Sequence, residues 1–154
     1  MGTRSMTTFI EKYKDDKGKK RDNKVVTIYK QYDGYPSGFG LDLSTFLSKG
    51  KVVNGIGMDD EFVFNGMGCL AAQVVSEFKE GPGGIYLYRG GTKDCGEAYM
   101  YEIIIDNETM ELTMKCMEVG YMDKNDKLVN KTRTLFSGTP KEMMEFCTEE
   151  AIKV

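Results

Sequence analysis

The chain has no histidine and no tryptophan, and its 154 residues include only three prolines. Without histidine it lacks the commonest general base, the usual activator of Ser and Cys nucleophiles, and the commonest zinc ligand. Any catalysis would fall to carboxylates, Lys, Tyr or Cys. Long apolar runs are also missing: Ile103-Ile104-Ile105 is among the longest, far below the roughly 20 residues of a membrane span. The amino end, Met-Gly-Thr-Arg-Ser, has no apolar signal-peptide core, so a cytosolic protein with no membrane partner is expected. Gly2 follows the initiator Met, but Met6 stands where a myristoylation motif needs Ser or Thr. There is no basic field. Nothing therefore argues for nucleic acid as a partner, and the net charge of -3 is too small to name another.

Cysteine is sparse and scattered. Cys69, Cys95, Cys116 and Cys147 form no Cys-x-x-Cys pair, and in a cytosolic chain they read as reduced thiols, three of them packing residues. The acidic cluster Asp59, Asp60, Glu61 lacks the spacing of an EF-hand loop and reads as an exposed turn. No metal site and no cofactor is expected.

What is present fits one α+β domain over residues 1–154, long enough to bury a core without metal or disulfide staples. Alternation predicts strands over residues 3–13 and 24–32, joined as a hairpin with Lys17, Lys19, Lys20 and Arg21 at a solvated tip. Phe39, Leu43, Phe46 and Leu47 recur at helical spacing, closed by Gly50. A second helix starts at Asn65, a good N-cap residue, and carries Met67, Leu70, Ala71, Val74 and Phe78 to a Gly-Pro-Gly-Gly stop. Strands follow over 85–88, 98–105, 110–119 and 128–136. Thr139-Pro-Lys-Glu142 is a capping box that opens a terminal helix. The sum is a largely antiparallel sheet of five to six strands with about three helices, packed mainly on one face.

Residues 29–40, Tyr-Lys-Gln-Tyr-Asp-Gly-Tyr-Pro-Ser-Gly-Phe-Gly, mark a strand-to-helix turn with more side-chain chemistry than a turn needs. Asp33, Gly34 and Pro36 serve the turn; Gln31, Tyr32 and Tyr35 do not, and they offer ring faces and hydrogen-bonding groups. Arg4 is in phase with Met6 and Ile10, hence directed to the core side unless it has a partner. An Arg4–Asp33 ion pair and an Arg4 offered to a ligand are the two readings. Asn65-Gly66-Met67-Gly68 opens the second helix, where exposed amides suit an anion; tight helix packing is the other explanation for the glycines. Gly66 to Ala71 matches G-x-G-x-x-A, but the hairpins around it exclude a Rossmann unit. Cys69 lies in the first turn of that helix, a place for a nucleophile or for a small core residue. Thr92 and Asp94, in a Gly-rich loop over 89–96, are a candidate second wall.

Met-Gly-Thr-Arg-Ser at residues 1–5, Gln-Tyr-Asp-Gly-Tyr-Pro-Ser-Gly from Gln31, Val-Asn-Gly-Ile-Gly from Val53 and Asn-Gly-Met-Gly-Cys-Leu-Ala-Ala-Gln from Asn65 go together, as do Ile-Tyr-Leu-Tyr from Ile85 and Gly-Thr-Lys-Asp from Gly91. Over roughly its first hundred residues the chain thus resembles an uncharacterised family of small proteins encoded by phages, large viruses and some bacteria. Where that family's pattern has His after Ser-Gly this chain carries Phe39, so the resemblance implies no His-dependent chemistry here. It implies an accessory role in an infected cell, directed against host defence.

The leading expectation is a small-molecule binding protein holding an anionic, nucleotide-like ligand. Its pocket would be built from Arg4, Gln31, Tyr32, Asp33, Tyr35, Asn65, Gly66 and Gly68, with Thr92 and Asp94 beside them. One alternative is a hydrolase or transferase with Asp33 as base and Cys69 as nucleophile. Another is a protein-interaction module that presents the Tyr-rich turn. Homo-oligomer formation stays open.

Overall fold

The computed structural model describes residues 2–55 and 62–153. Strands β1 (Ser5–Lys14) and β2 (Lys20–Lys30) form the first hairpin. A π-helical turn, Pro36–Gly40, leads into α1 (Leu41–Ser48). Short strands β3 (Lys51–Val53) and β4 (Val63–Asn65) pair in parallel before α2 (Gly66–Phe78). Then come β5 (Ile85–Tyr88), β6 (Tyr99–Asp106), β7 (Leu112–Glu118), the two-residue strands β8 (Tyr121–Met122) and β9 (Leu128–Val129), β10 (Arg133–Gly138) and α3 (Pro140–Ile152).

Six strands make the main sheet in the order β10-β7-β6-β1-β2-β5, antiparallel except where β1 runs parallel to β6. One core joins Phe9, Ile28, Tyr101, Ile103, Ile105, Met114 and Cys116 of the sheet to Leu43, Phe46 and Leu47 of α1, Leu70 and Val74 of α2, and Met143 and Cys147 of α3. All three helices therefore cover one face, as the sequence predicts. Each large apolar side chain buried there contributes about 1.5–3 kcal/mol.

Two readings of the strands need correction. The segment 128–136 is not one strand, because left-handed Asn130 breaks it after Val129 and the chain re-enters the sheet only at Arg133. The basic tip is shorter than expected, since Lys20 and Arg21 already belong to β2. The turn is held instead by Asp15, whose carboxylate accepts the Lys17 and Lys19 amides at 2.9 Å and Arg21 Nε at 3.0 Å. Those bonds hold the Asp15 carboxyl below its usual range.

The helix-free face is also covered near Arg4. Residues from Ser5 to Ile10 are buried without alternation because both sides of β1 are packed. Phe9 faces the helices. Met6 and Thr8, one step out of phase, face the other way, under the connection 89–98 that crosses from β5 to β6. Gly91 N donates to Thr27 Oγ1 at 2.9 Å, which lies 2.9 Å from Thr8 Oγ1, so this strap is tied to the sheet. Arg4, in phase with Met6, thus lies on the strap side and not on the core side. At the β5 edge, Lys79 Nζ donates to the Gly83 and Ile85 carbonyls at 2.7 and 2.8 Å, which blunts that edge against strand addition.

Candidate functional site

The Tyr-rich turn is fixed by contacts that only glycine permits. Gly34 N donates to Thr3 O at 2.8 Å, and a Cβ on Gly34 would stand 2.6 Å from Ser5 Cβ and 2.9 Å from Ser5 N. A Cβ on Gly40 would lie 2.8 Å from the Tyr101 hydroxyl. That hydroxyl, fully buried on β6, donates to Gly34 O at 2.8 Å. Burial pushes the Tyr101 phenol far above its ordinary range, so it remains a donor at any physiological pH. Asp33 takes the left-handed conformation at φ +57°, and its carbonyl accepts Phe39 N at 2.7 Å. Phe39 then packs edge-on against Tyr101 and against Phe78 at the end of α2, with ring centroids 6.5 and 5.4 Å apart. A core tyrosine and a core phenylalanine therefore hold the turn, and this leaves Tyr32 and Tyr35 exposed.

Beyond the turn the sheet ends in a groove of about 600 Å³. One wall is Tyr35, Pro36 and Ser37; the floor and far wall are Tyr99, Glu118, Arg133 and Leu135, with Glu150 and Ala151 of α3 above. Strand register explains the grouping: Tyr99 pairs with Glu118 and Glu118 with Arg133, so β6, β7 and β10 present a phenol, a carboxylate and a guanidinium in one row. Arg133 Nη2 and Nε both reach Glu118 Oε1 at 3.3 Å. Lys153 Nζ lies 3.5 Å from Glu150 Oε1, so both carboxylates of the groove have a cation beside them. Burial, then the Glu118 charge, raise the Tyr99 phenol above its ordinary range, so it too stays protonated and can donate. The capping box anchors α3: Glu142 N donates to Thr139 Oγ1 at 3.2 Å and Thr139 N to Glu142 Oε1 at 2.9 Å.

The residues expected to form one pocket fall into four places. Tyr35 lines the groove. Gln31, Tyr32 and Asp33 sit beside the amino-terminal segment, where a Cβ on Gly2 would strike the Tyr32 ring and stand 3.1 Å from Gln31 O, while Gln31 N donates to Gly84 O ahead of β5. Tyr35 Oη is 3.4 Å from Asp33 Oδ1, a long contact. Arg4 lies on the opposite face of the sheet from Tyr99. Its carbonyl accepts Ala98 N at 2.9 Å, and its guanidinium spreads 3.0 Å from where a Cβ on Gly96 would be. No Arg4–Asp33 ion pair occurs among the described residues. Thr92 and Asp94 belong to the strap, and their hydrogen bonds among the described residues stay within its own loop. Thr92 Oγ1 donates to Arg89 O at 2.6 Å, and Asp94 N donates to Glu97 Oε2 at 3.0 Å.

Asn65, Gly66, Gly68 and Cys69 stand at the other end of the fold. Phe78, the last residue of α2, packs on Phe39, and thirteen helical residues put Gly66 roughly 18 Å away along the axis. Asn65 does not cap α2, because its Oδ1 accepts Gly55 N at 3.0 Å. Among the described residues nothing lies within 4 Å of a Cβ built on Gly66 or Gly68, so no packing among them accounts for these glycines; Gly66 takes the left-handed conformation at φ +81°, which favours glycine. Cys69 is exposed, not a core residue; its Sγ donates to Gln73 Oε1 at 3.0 Å. With Asp33 and Cys69 at opposite ends, the two cannot share a reaction. Cys116 and Cys147 are the buried pair, their thiols pushed up to about 12 by burial. Among the described residues no three His, Cys, Asp or Glu side chains are placed to hold a metal ion; Asp59, Asp60 and Glu61 lie outside the described residues. No described helix is long and apolar enough to cross a membrane.

Tyr99, Glu118 and Arg133 were not among the expected site residues. One signal marked them: Glu118 continues the apolar phase of Met114 and Cys116, a carboxylate where alternation calls for a core residue. No protein-family model, curated protein or solved structure matches the chain.

Proposed function

We propose that this protein binds a small, planar, hydrogen-bonding molecule of the nucleobase or nucleoside class in the groove between the Tyr-rich turn and the β6-β7-β10 end of the sheet. The observation that carries the reading is the placement of Tyr35 and Tyr99 around about 600 Å³ of space beside the Glu118–Arg133 pair. Phenol rings offer stacking faces, Tyr99 a donor, Glu118 an acceptor and Arg133 spare donors, the mixture of apolar walls and few polar groups that small ligands use. The charges are already matched within the groove, so affinity comes from the ring, and an anionic tail of a nucleotide would meet Arg133 at the rim. This assigns to Arg133 the role that the sequence suggested for Arg4.

Catalysis is the weaker reading: Asp33 is exposed and Cys69 is remote from it. On the resemblance to phage, large-virus and bacterial proteins, we read the binding as an accessory function in an infected cell, acting on a host defence that uses such a molecule. A melting-temperature panel tests it, with nucleosides, nucleoside monophosphates and inorganic phosphate as probes. Ring-bearing compounds should raise the midpoint and phosphate alone should not, and Tyr35→Ala should abolish the rise. A panel without any rise, or a rise that persists in Tyr35→Ala and Arg133→Ala, would remove the groove from consideration.

A further inference from the structure

A second groove, of about 680 Å³, lies among the three helices and shares no residue with the first. Its floor is apolar: Leu41, Phe46, Phe78 and Met144, with the Phe46 and Phe78 rings edge to face at 5.8 Å. Its rim is acidic. Asp42 on α1, Glu77 near the end of α2, and Glu145 and Glu149 on α3 supply four carboxylates against the single ammonium of Lys49. Among the described lining residues this leaves an excess of three negative charges at the rim, a local field that favours a cationic partner. None of the four carboxylates makes an ion pair among the described residues.

We propose that this groove docks a basic amphipathic helix of a partner protein. Glu145 and Glu149 stand four residues apart, one turn, and would face cations spaced one turn apart on a helix laid alongside. On α1, Leu41 and Thr45 have the same spacing, so α1 and α3 present two helical stripes with an apolar trough between them, the geometry of helix-in-groove recognition. Met144 gives that floor an adaptable surface. A second copy is a poor occupant: its densest basic run, Lys17, Lys19, Lys20 and Arg21, sits in a β-hairpin and not on a helix, and its own α3 is acidic.

Fluorescence anisotropy tests the proposal with a labelled peptide of about 14 residues, Leu on one helical face and Lys on the other, at about 0.15 M salt. Saturable binding is expected, weakened as salt rises. It should fall at least about tenfold for the Glu145→Lys, Glu149→Lys double variant and for a peptide with Ser in place of Leu. Both glutamates are exposed, so an unchanged melting curve will confirm that the variant folds. Tyr35→Ala, in the other groove, should leave peptide binding intact. The proposal is overturned by absence of binding, by equal binding to the charge-reversed variant, by equal binding of the Ser peptide, or by loss in Tyr35→Ala. A dimer in sedimentation that disappears in the charge-reversed variant would assign the groove to a second copy and overturn it as well.

Discussion

Tyr101→Phe isolates the contact that holds the Tyr-rich turn in place. The ring stays, with its edge against Phe39, and only the hydroxyl that donates to Gly34 O at 2.8 Å is lost. Gly34 is buried, so its carbonyl is left without that partner and out of reach of bulk water. An unpaired buried acceptor costs about 1–3 kcal/mol. Removing the hydroxyl also removes its own desolvation cost, which places the net loss in the lower half of that range, about 1–2 kcal/mol. For a chain of this length that is a drop of about 2–8 °C in melting midpoint. Urea unfolding should show a lower midpoint at unchanged slope, because the exposed surface is the same. Hydrogen exchange adds a local readout: the Phe39 amide, bonded to Asp33 O, should exchange faster than in the parent. A variant within about 0.5 kcal/mol of the parent, with Phe39 exchange unaltered, would show that the turn is not held by this bond.

Two glycines should respond in opposite directions: Gly34→Ala, which drives a methyl into the Ser5 backbone, should cost more than 2 kcal/mol, roughly, whereas Gly68→Ala, facing open space within α2, should gain up to about 1 kcal/mol. Urea midpoints decide this, and an equal response would contradict the packing. Thiol labelling at mildly alkaline pH should modify Cys69 first, with Cys116 and Cys147 silent until unfolding, since burial holds their thiols at about 12. Cys95 is partly exposed, so a fast phase that survives in the Cys69→Ser, Cys95→Ser double variant would refute that order. The bonds from the Thr139 backbone and side chain lower the Glu142 carboxyl, so its contribution is present above the ordinary carboxyl range and is lost as pH falls through the depressed folded value. Acidification from about pH 6 to about pH 3 should therefore lower the urea midpoint less in Glu142→Gln than in the parent, and an identical decrease would sink the assignment.

Much of the scaffold was readable from local pattern. The first hairpin, the β6-β7 hairpin and the Thr139 capping box declare themselves through alternation and capping chemistry, which act over a few residues. The parallel pairing of β1 with β6 does not, because nothing local couples residues ninety positions apart. Arg4 was assigned to the wrong face for that reason: alternation gives the phase of β1, but which phase meets the helices depends on where the 89–98 strap crosses. The turn at 29–40 lines a groove through Tyr35, Pro36 and Ser37, but the other wall of that groove comes from the far half of the chain. Glu118 alone, a charge in an apolar phase, pointed there.

The central claim is that the sheet-end groove takes up a nucleoside-like ring, and nuclear magnetic resonance titration of the isotope-labelled protein with adenosine tests it most directly. Binding as described will shift the signals of Tyr35 to Ser37 together with Tyr99, Glu118 and Arg133, and leave the strap around Gly91 and the start of α2 unmoved. Shifts confined to Arg4 and the strap, or none at saturating adenosine, would contradict it.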